Sequence, residues 1–235
     1  MSIHKGLKFF ATQPHTCSYL PEQQATTLFI DPDTILDQTL YSNLAELGFR
    51  RSGRHIYRPH CDDCQACIPL RVPVQRFGMR RTQRKNWRRN ADLTVTATVA
   101  GFTDEYYDLY ERYINQYHHD GDMFPPSVEQ FCNFLADSPE FCRFYEFRLD
   151  SQLLAVAVVD TLELGLSAIY TFYHPEYARR SLGRYCILWL IDHARHQKVE
   201  YLHLGYWVRN CRKMNYKIEF RPVELYTNQR WTELR

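Results

Sequence analysis

No stretch of this sequence approaches the ~20 consecutive apolar residues that a bilayer-crossing helix needs, so a helical membrane protein is not expected. The opening residues, MSIHKGLKFFATQPHT, contain basic side chains but lack the apolar segment of a secretory signal. The expectation is a soluble cytoplasmic protein with no membrane partner. No internal repeat or low-complexity tract is visible, which argues against a repeat architecture. Asp and Glu are missing from residues 71–89, RVPVQRFGMRRTQRKNWRR, a stretch with eight basic residues.

What is present fits a globular protein. The 235 residues suit one large or two small domains, and a 45% hydrophobic, 15% aromatic composition can fill a core. The net charge of +2 is small, so the local basic run points to one particular anionic partner rather than general coating of nucleic acid. In a helix, Arg76, Arg80, Arg84 and Arg88 would form one row. Arg81, Lys85 and Arg89 would form a second beside it, giving a broad cationic face. Solvated helices usually interleave both signs, so a phosphate- or carboxylate-binding surface is favoured over a merely hydrated one. Trp87 lies within this arc and either stacks on a base or anchors the segment to the core.

The hydrophobic pattern predicts an α+β fold. A strand near residues 28–30 leads to a helix capped by Asp31 with Pro32 in its first turn and ended by Gly48. Short strands at 49–51 and 55–57 and an extended piece at 68–74 follow. Beyond residue 95 the pattern gives a helix at 104–118 and another starting at Ser127, with Gln130 completing a capping box. A three-strand meander covers 141–149, 153–160 and 166–173. A helix at 182–197 and strands at 199–205 and 217–226 complete it. The chain therefore divides into a small cysteine-containing α/β domain, residues 1–95, and a second domain, residues 96–235. The second has the element order of a GNAT-like acyltransferase.

Eight cysteines in a cytosolic chain suggest buried thiols plus a metal or redox site. Cys61, Cys64 and Cys67 stand in C-x-x-C-x-x-C spacing, and Cys17 or His60 could supply a fourth ligand. Zinc or an iron–sulfur cluster suits that donor set. A metal-free group of reduced thiols is the alternative. The loop Arg179-Arg180-Ser181-Leu182-Gly183-Arg184-Tyr185 opens a helix, where backbone N–H groups can hold an anion. Compared with the Gly-rich loop of CoA-dependent acyltransferases, it keeps the first glycine but has Tyr185 where a small residue belongs. A CoA-dependent N-acetyltransferase is thereby the weaker alternative.

Four segments, YRPHCDDC, RRTQRKNWRRN, HPEYARRSLGRY and YLHLGYWVRNCRKMNYK, occur in this order. Together they resemble the aminoacyl-tRNA–protein transferase family, and the compact length resembles its bacterial aspartate/glutamate leucyltransferase branch. Two departures stand out. The N-terminal C-x-x-C of eukaryotic relatives is reduced to Cys17, and His174 replaces an Asp before the S-L-G loop.

The resemblance implies transfer of leucine from leucyl-tRNA to the N-terminal amine of proteins beginning with Asp or Glu, marking them for N-degron degradation. An arginyl donor is the alternative, and no cofactor is required. It also implies site residues. Arg76, Arg80, Arg81, Arg84, Lys85 and Arg88 would bind the acidic acceptor or tRNA phosphates. Ser181, Leu182 and Gly183 would present N–H groups to the tRNA end. Tyr170, Tyr173, Tyr206, Lys213, Tyr216 and Lys217 would line the cleft, with Lys213 or a tyrosine hydroxyl serving the oxyanion or moving a proton.

Overall fold

The computed structural model describes residues 6–234. The front of the chain forms β1 (Phe9–Ala11), β2 (His15–Thr16), β3 (Gln24–Ala25), β4 (Thr27–Ile30), α1 (Gln38–Glu46), β5 (Arg50–Ser52) and β6 (His55–Pro59). Four of these strands make a small antiparallel sheet in the order β1-β4-β6-β5, and β2 pairs with β3. The α1 helix starts later than the sequence suggests. Asp31 forms a local turn through Asp33 N–H, and Asp37 is the residue that caps the helix by accepting from Leu40 N–H at 2.7 Å. Asx turns compete with helix starts for the same carboxylate, and here the turn takes Asp31. Gly48 does end the helix, at φ +82°, a conformation that favours glycine.

The remainder comprises β7 (Cys67–Pro73), α2 (Arg81–Arg89), β8 (Thr94–Val99), α3 (Asp104–Tyr117), α4 (Val128–Phe131), β9 (Cys142–Leu149), β10 (Gln152–Thr161), β11 (Gly165–Tyr173), α5 (Leu182–His196), β12 (Tyr201–Val208), β13 (Glu224–Thr227) and β14 (Arg230–Glu233). Eight strands form one sheet in the order β14-β13-β7-β12-β11-β10-β9-β8. Residues 212–219, expected in part as strand, coil into a 3-10 turn, and only Glu224–Thr227 joins the sheet. The strand β7, from the front of the chain, lies between β12 and β13.

Each face of the large sheet carries its own core. Leu70, Val72, Phe147, Leu188, Leu190, Leu202 and Leu204 pack beneath α2 and α5. Tyr106, Leu109, Tyr110, Phe131, Phe144, Val156 and Phe172 pack beneath α3 and α4. The alternation of Ala155 and Ala157 with Val156 and Val158 along β10 feeds the two cores in turn. Among the described residues no helix is long and apolar enough to cross a membrane.

Buried arginines fasten the small sheet to the large one. The Arg51 guanidinium grips Asp160 of β10 with two bonds of 2.7 Å, both side chains fully buried, and also donates to Gly53 O at 2.8 Å. Arg71 of β7 donates to Glu46 of α1 and to Glu224 of β13, and lies over the rings of Tyr201 and Trp231. Losing one partner of such a pair leaves an uncompensated charge in a dry site, which costs about 3–5 kcal/mol. Arg51→Met is therefore expected to lower unfolding stability by that amount in a urea titration. The double variant Arg51→Met with Asp160→Leu should recover much of it.

Candidate functional site

The parallel strands β11 and β12 pair only from Gly165 to Ser167, opposite Tyr201 to His203. Beyond that point the ladder ends and the sheet splits. Arg50, from β5, fills the opening. Its guanidinium donates to Ser167 Oγ at 3.1 Å and to Ala168 O at 2.7 Å, the first carbonyl left free by the split. On the other side it lies against the backbone of Gly205. A Cβ at residue 205 would sit 3.0–3.1 Å from three guanidinium atoms, and the residue's φ of +76° also favours glycine. Arg50 is 9% exposed, and among the described residues no carboxylate pairs with it. Buried charges are normally paired, so this site lacks an anion.

Lys217 stands beside this cation. Its ammonium donates to Tyr206 O at 2.8 Å. Burial pulls its pKa down to about 7, and the Arg50 guanidinium adds to the effect. Tyr216 precedes it and also feels the Arg50 charge, while burial raises its phenol pKa. Tyr216 is close in turn to Tyr113, Tyr170 and Tyr173. Tyr113 of α3 and Tyr173 of β11 meet edge to face at 4.8 Å, and Phe134 meets Tyr170 at 5.2 Å. The result is an aromatic wall running from the split to α3. The Tyr170 hydroxyl is buried with no partner, and burial keeps it protonated at any physiological pH. It is a buried hydrogen-bond donor that no protein group uses.

The loop before α5 closes the other end of the cleft. Asn86 of α2 donates to Arg180 O at 2.8 Å, Asn90 donates to the same oxygen at 3.0 Å, and Arg89 donates to Arg179 O. Ser181 adopts the left-handed conformation at φ 52° without capping α5 through its side chain, so the first N–H groups of the helix, at Leu182 and Gly183, have no cap from it. Tyr173 packs directly on Gly183. The basic helix thus holds the loop in place, and Trp87 anchors it by packing on Tyr185 at 5.6 Å. Gln83 also donates to Glu219 O, which puts the start of α2 at the end of the 212–219 turn.

The expected site residues divide into two groups. Tyr170, Tyr173, Tyr216, Lys217, Ser181, Leu182 and Gly183 come together around the split. Arg80, Arg81, Arg84, Lys85 and Arg88 are exposed on or beside α2. Arg76 does not continue their row. The chain is not helical between residues 77 and 80, and Arg76 pairs with Glu224 and Glu233. Tyr206 is buried, and its hydroxyl donates to Gly48 O at 2.8 Å, tying β12 to the small sheet. Lys213 is exposed and paired with Asp120 at 2.7 Å. Arg50 escaped sequence reading, because an isolated RR pair beside a short strand carries no spacing signal.

The metal expectation finds no support among the described residues. Cys17, Cys61, Cys64 and Cys67 border a common pocket of about 860 Å³, but all are free thiols. Among the described residues no three His, Cys, Asp or Glu side chains assemble as a metal site. Cys61 turns toward Thr26 O, and Cys17, Cys61 and Cys64 lie near enough to Cys67 to act on its thiol. Burial and the neighbouring thiols push the Cys67 pKa up to about 12.

The architecture, a split mixed sheet with helices on both faces, is an acyltransferase-like fold, and the crystal structure of FemX shares it. FemX superimposes with a TM-score of 0.51 at 10% identity, over 79% of this chain and 65% of that one. Two family models match in order: the arginine-tRNA-protein transferase N terminus over residues 15–85 and its C terminus over residues 105–227. The aspartate/glutamate leucyltransferases of Pseudomonas savastanoi pv. phaseolicola and Pseudomonas syringae pv. tomato are each 60% identical to it over 97% of both chains. The chain belongs to the arginine-tRNA-protein transferase family and is an aminoacyl-transferring enzyme.

The lowered pKa of Lys217 has a thermodynamic consequence. Between pH 7 and the unfolded value near ~10.4, the unfolded chain binds this proton and the folded chain does not, so stability rises with pH across that window. Lys217→Met is expected to be more stable than the wild type at pH 6, with the advantage shrinking as pH climbs toward 10. Urea titrations at several pH values read this directly, and a constant difference would contradict it.

Proposed function

We propose that this enzyme transfers leucine from leucyl-tRNA to the α-amine of proteins beginning with Asp or Glu, as the names of its 60%-identical relatives indicate for those proteins. The observation that carries this reading is the unpaired buried cation at the split. An acidic first residue brings the carboxylate that Arg50 lacks, and an arginine can take it in a two-bond fork. The Arg50 site therefore selects the acceptor, while the exposed face of α2 and the N–H groups of Leu182 and Gly183 suit the phosphates of the tRNA end. The wall of Tyr113, Phe134, Tyr170 and Tyr173 is apolar and suits a leucine side chain. An arginine donor would want a carboxylate there. A tRNA substrate sets the reaction in the cytoplasm, and the acidic N-termini connect it to N-degron degradation.

The chemistry is aminolysis of an activated ester. The acceptor ammonium, with a pKa near ~8, must lose a proton before it attacks. Lys217, held near 7, is about half neutral at cellular pH and can accept that proton. As the amine adds to the leucyl carbonyl, negative charge develops on its oxygen, and the unpartnered Tyr170 hydroxyl can donate to it. Collapse expels the terminal ribose hydroxyl, which takes a proton, and leaves the new peptide bond. Alignment of amine and ester in the cleft supplies a large share of the acceleration.

The test is incubation with labelled leucyl-tRNA and an Asp-started peptide, with the product weighed by mass spectrometry. Arg50→Met is expected to lower kcat/KM for Asp- and Glu-started peptides about 100-fold while hardly changing the poor reaction of an Asn-started peptide. An unchanged preference for Asp over Asn would sink the assignment. Tyr170→Phe should lower kcat about 10²-fold with little change in KM. The rise of kcat/KM through about pH 7 should move to the acceptor amine's own range in Lys217→Met.

A further inference from the structure

The large sheet ends differently on its two sides. At one edge, β14 carries Arg230 and Glu233, and Glu233 pairs with Arg76. At the other edge lies β8, Thr94–Val99, with the sequence TVTATV. It has no charge, no proline and no glycine, and its register with β9 is unbroken from Thr94 opposite Arg148 to Val99 opposite Arg143. Among the described residues its backbone makes no hydrogen bond beyond β9. Edge strands of folded proteins are normally protected by charges, prolines, bulges or a covering element, because a free row of N–H and C=O groups pairs with another strand. The β8 strand has none of these protections.

The side chains of β8 alternate between the two faces of the sheet. Val95, Ala97 and Val99 lie on the face of α2 and α5, opposite Phe147, Tyr145 and Arg143. Trp189 of α5 packs on Tyr145 at 5.3 Å and on Phe147 at 5.5 Å, which extends this apolar row inward. Thr94, Thr96 and Thr98 lie on the face of α3, where Thr98 Oγ1 meets the Tyr106 hydroxyl at 3.2 Å. The row toward α5 is left uncovered at the edge. Val99 is 75% exposed, and Ala97 is exposed as well. Phe102, just past the strand, is a third exposed apolar side chain.

We infer that β8 is the contact between two copies of this chain, joined edge to edge by antiparallel pairing about a two-fold axis at Ala97. Residues 95–99 read VTATV, the same in both directions. A second copy running the opposite way therefore meets every residue with its own kind: Ala97 opposite Ala97, Thr96 opposite Thr98, Val95 opposite Val99. A two-fold contact is self-complementary by symmetry and sets any charge on its axis against itself, so an uncharged strand suits it. An axis normal to the sheet keeps the faces in common. The valine rows then join on the α5 side and the threonine rows on the α3 side, and β-branched and threonine pairs are favourable cross-strand neighbours. The two eight-stranded sheets become one continuous sheet. A single strand pair is a small interface, so the dimer forms at micromolar protein and dissociates on dilution.

The test is sedimentation of the full chain over a dilution series. The wild type is expected to pass from the mass of one chain toward twice that mass as concentration rises. Amides of residues 94–99 should exchange hydrogen more slowly in the concentrated sample. Ala97→Lys places two ammonium groups at the axis and should weaken dimerisation about 100-fold. Ala97→Glu should do the same. Residue 97 is exposed, so both variants should keep the fold. An equimolar mixture of the two should restore the dimer, since each lysine then faces a glutamate, and misfolding could not be repaired in that way. A wild type that keeps the mass of one chain throughout the series would overturn the inference, even if a synthetic strand peptide bound this edge. A dimer that survives Ala97→Lys, or a mixture that stays monomeric with both variants folded, would overturn it equally.

Discussion

A single guanidinium holds the sheet open. Where β11 and β12 part, one strand presents a carbonyl with no ladder partner and the other a left-handed glycine with no side chain. Arg50 serves both, donating to Ala168 O and lying against Gly205. A split sheet without such a wedge would leave backbone groups unpaired in a dry site, which folded proteins avoid. With the wedge in place the split persists. The same charge adds to burial in depressing the Lys217 pKa. The split in the sheet therefore depends on one buried residue that has no carboxylate partner among the described residues.

The two parts of the chain are bound by this arrangement. Arg50 and Arg51 are neighbours on β5 and point into the large sheet from the same short strand. Arg51 finds its carboxylate in Asp160, and Arg50 does not. Tyr206 and Arg71 add ties from β12 and β7 to Gly48 and Glu46. The front segment is thus fastened to the large sheet on both sides of the split. The basic helix contributes in a different way. Its buried face, through Asn86 and Asn90, fixes the carbonyls of Arg180, while its exposed face keeps Arg81, Lys85 and Arg88 free for an anionic partner.

Much of this was legible in residue order. The meander, the helix after it and the stripe of Tyr106, Leu109, Tyr110 and Tyr113 follow from periodicity, because apolar residues repeating at two or three to four positions must face a core. Gly48 and Ser127 marked helix ends by side-chain chemistry that acts within a few residues. The misreadings share a cause. Asp31 could satisfy a turn or a helix, and residues 212–219 could be strand or coil. Local sequence permits both outcomes in each case, and distant contacts choose.

The chain by itself determined the family resemblance, the α+β class, and which side chains could be buried, since these depend on composition, spacing and short-range geometry. Only the tertiary structure decided that Arg50 lacks a counter-charge, that Lys217 rather than Lys213 is drawn into the cleft, and that Tyr170 and His174 keep unspent polar atoms. Those properties are set by what surrounds a group in three dimensions. Desolvation and pairing depend on neighbours far away in sequence, and no local pattern records them.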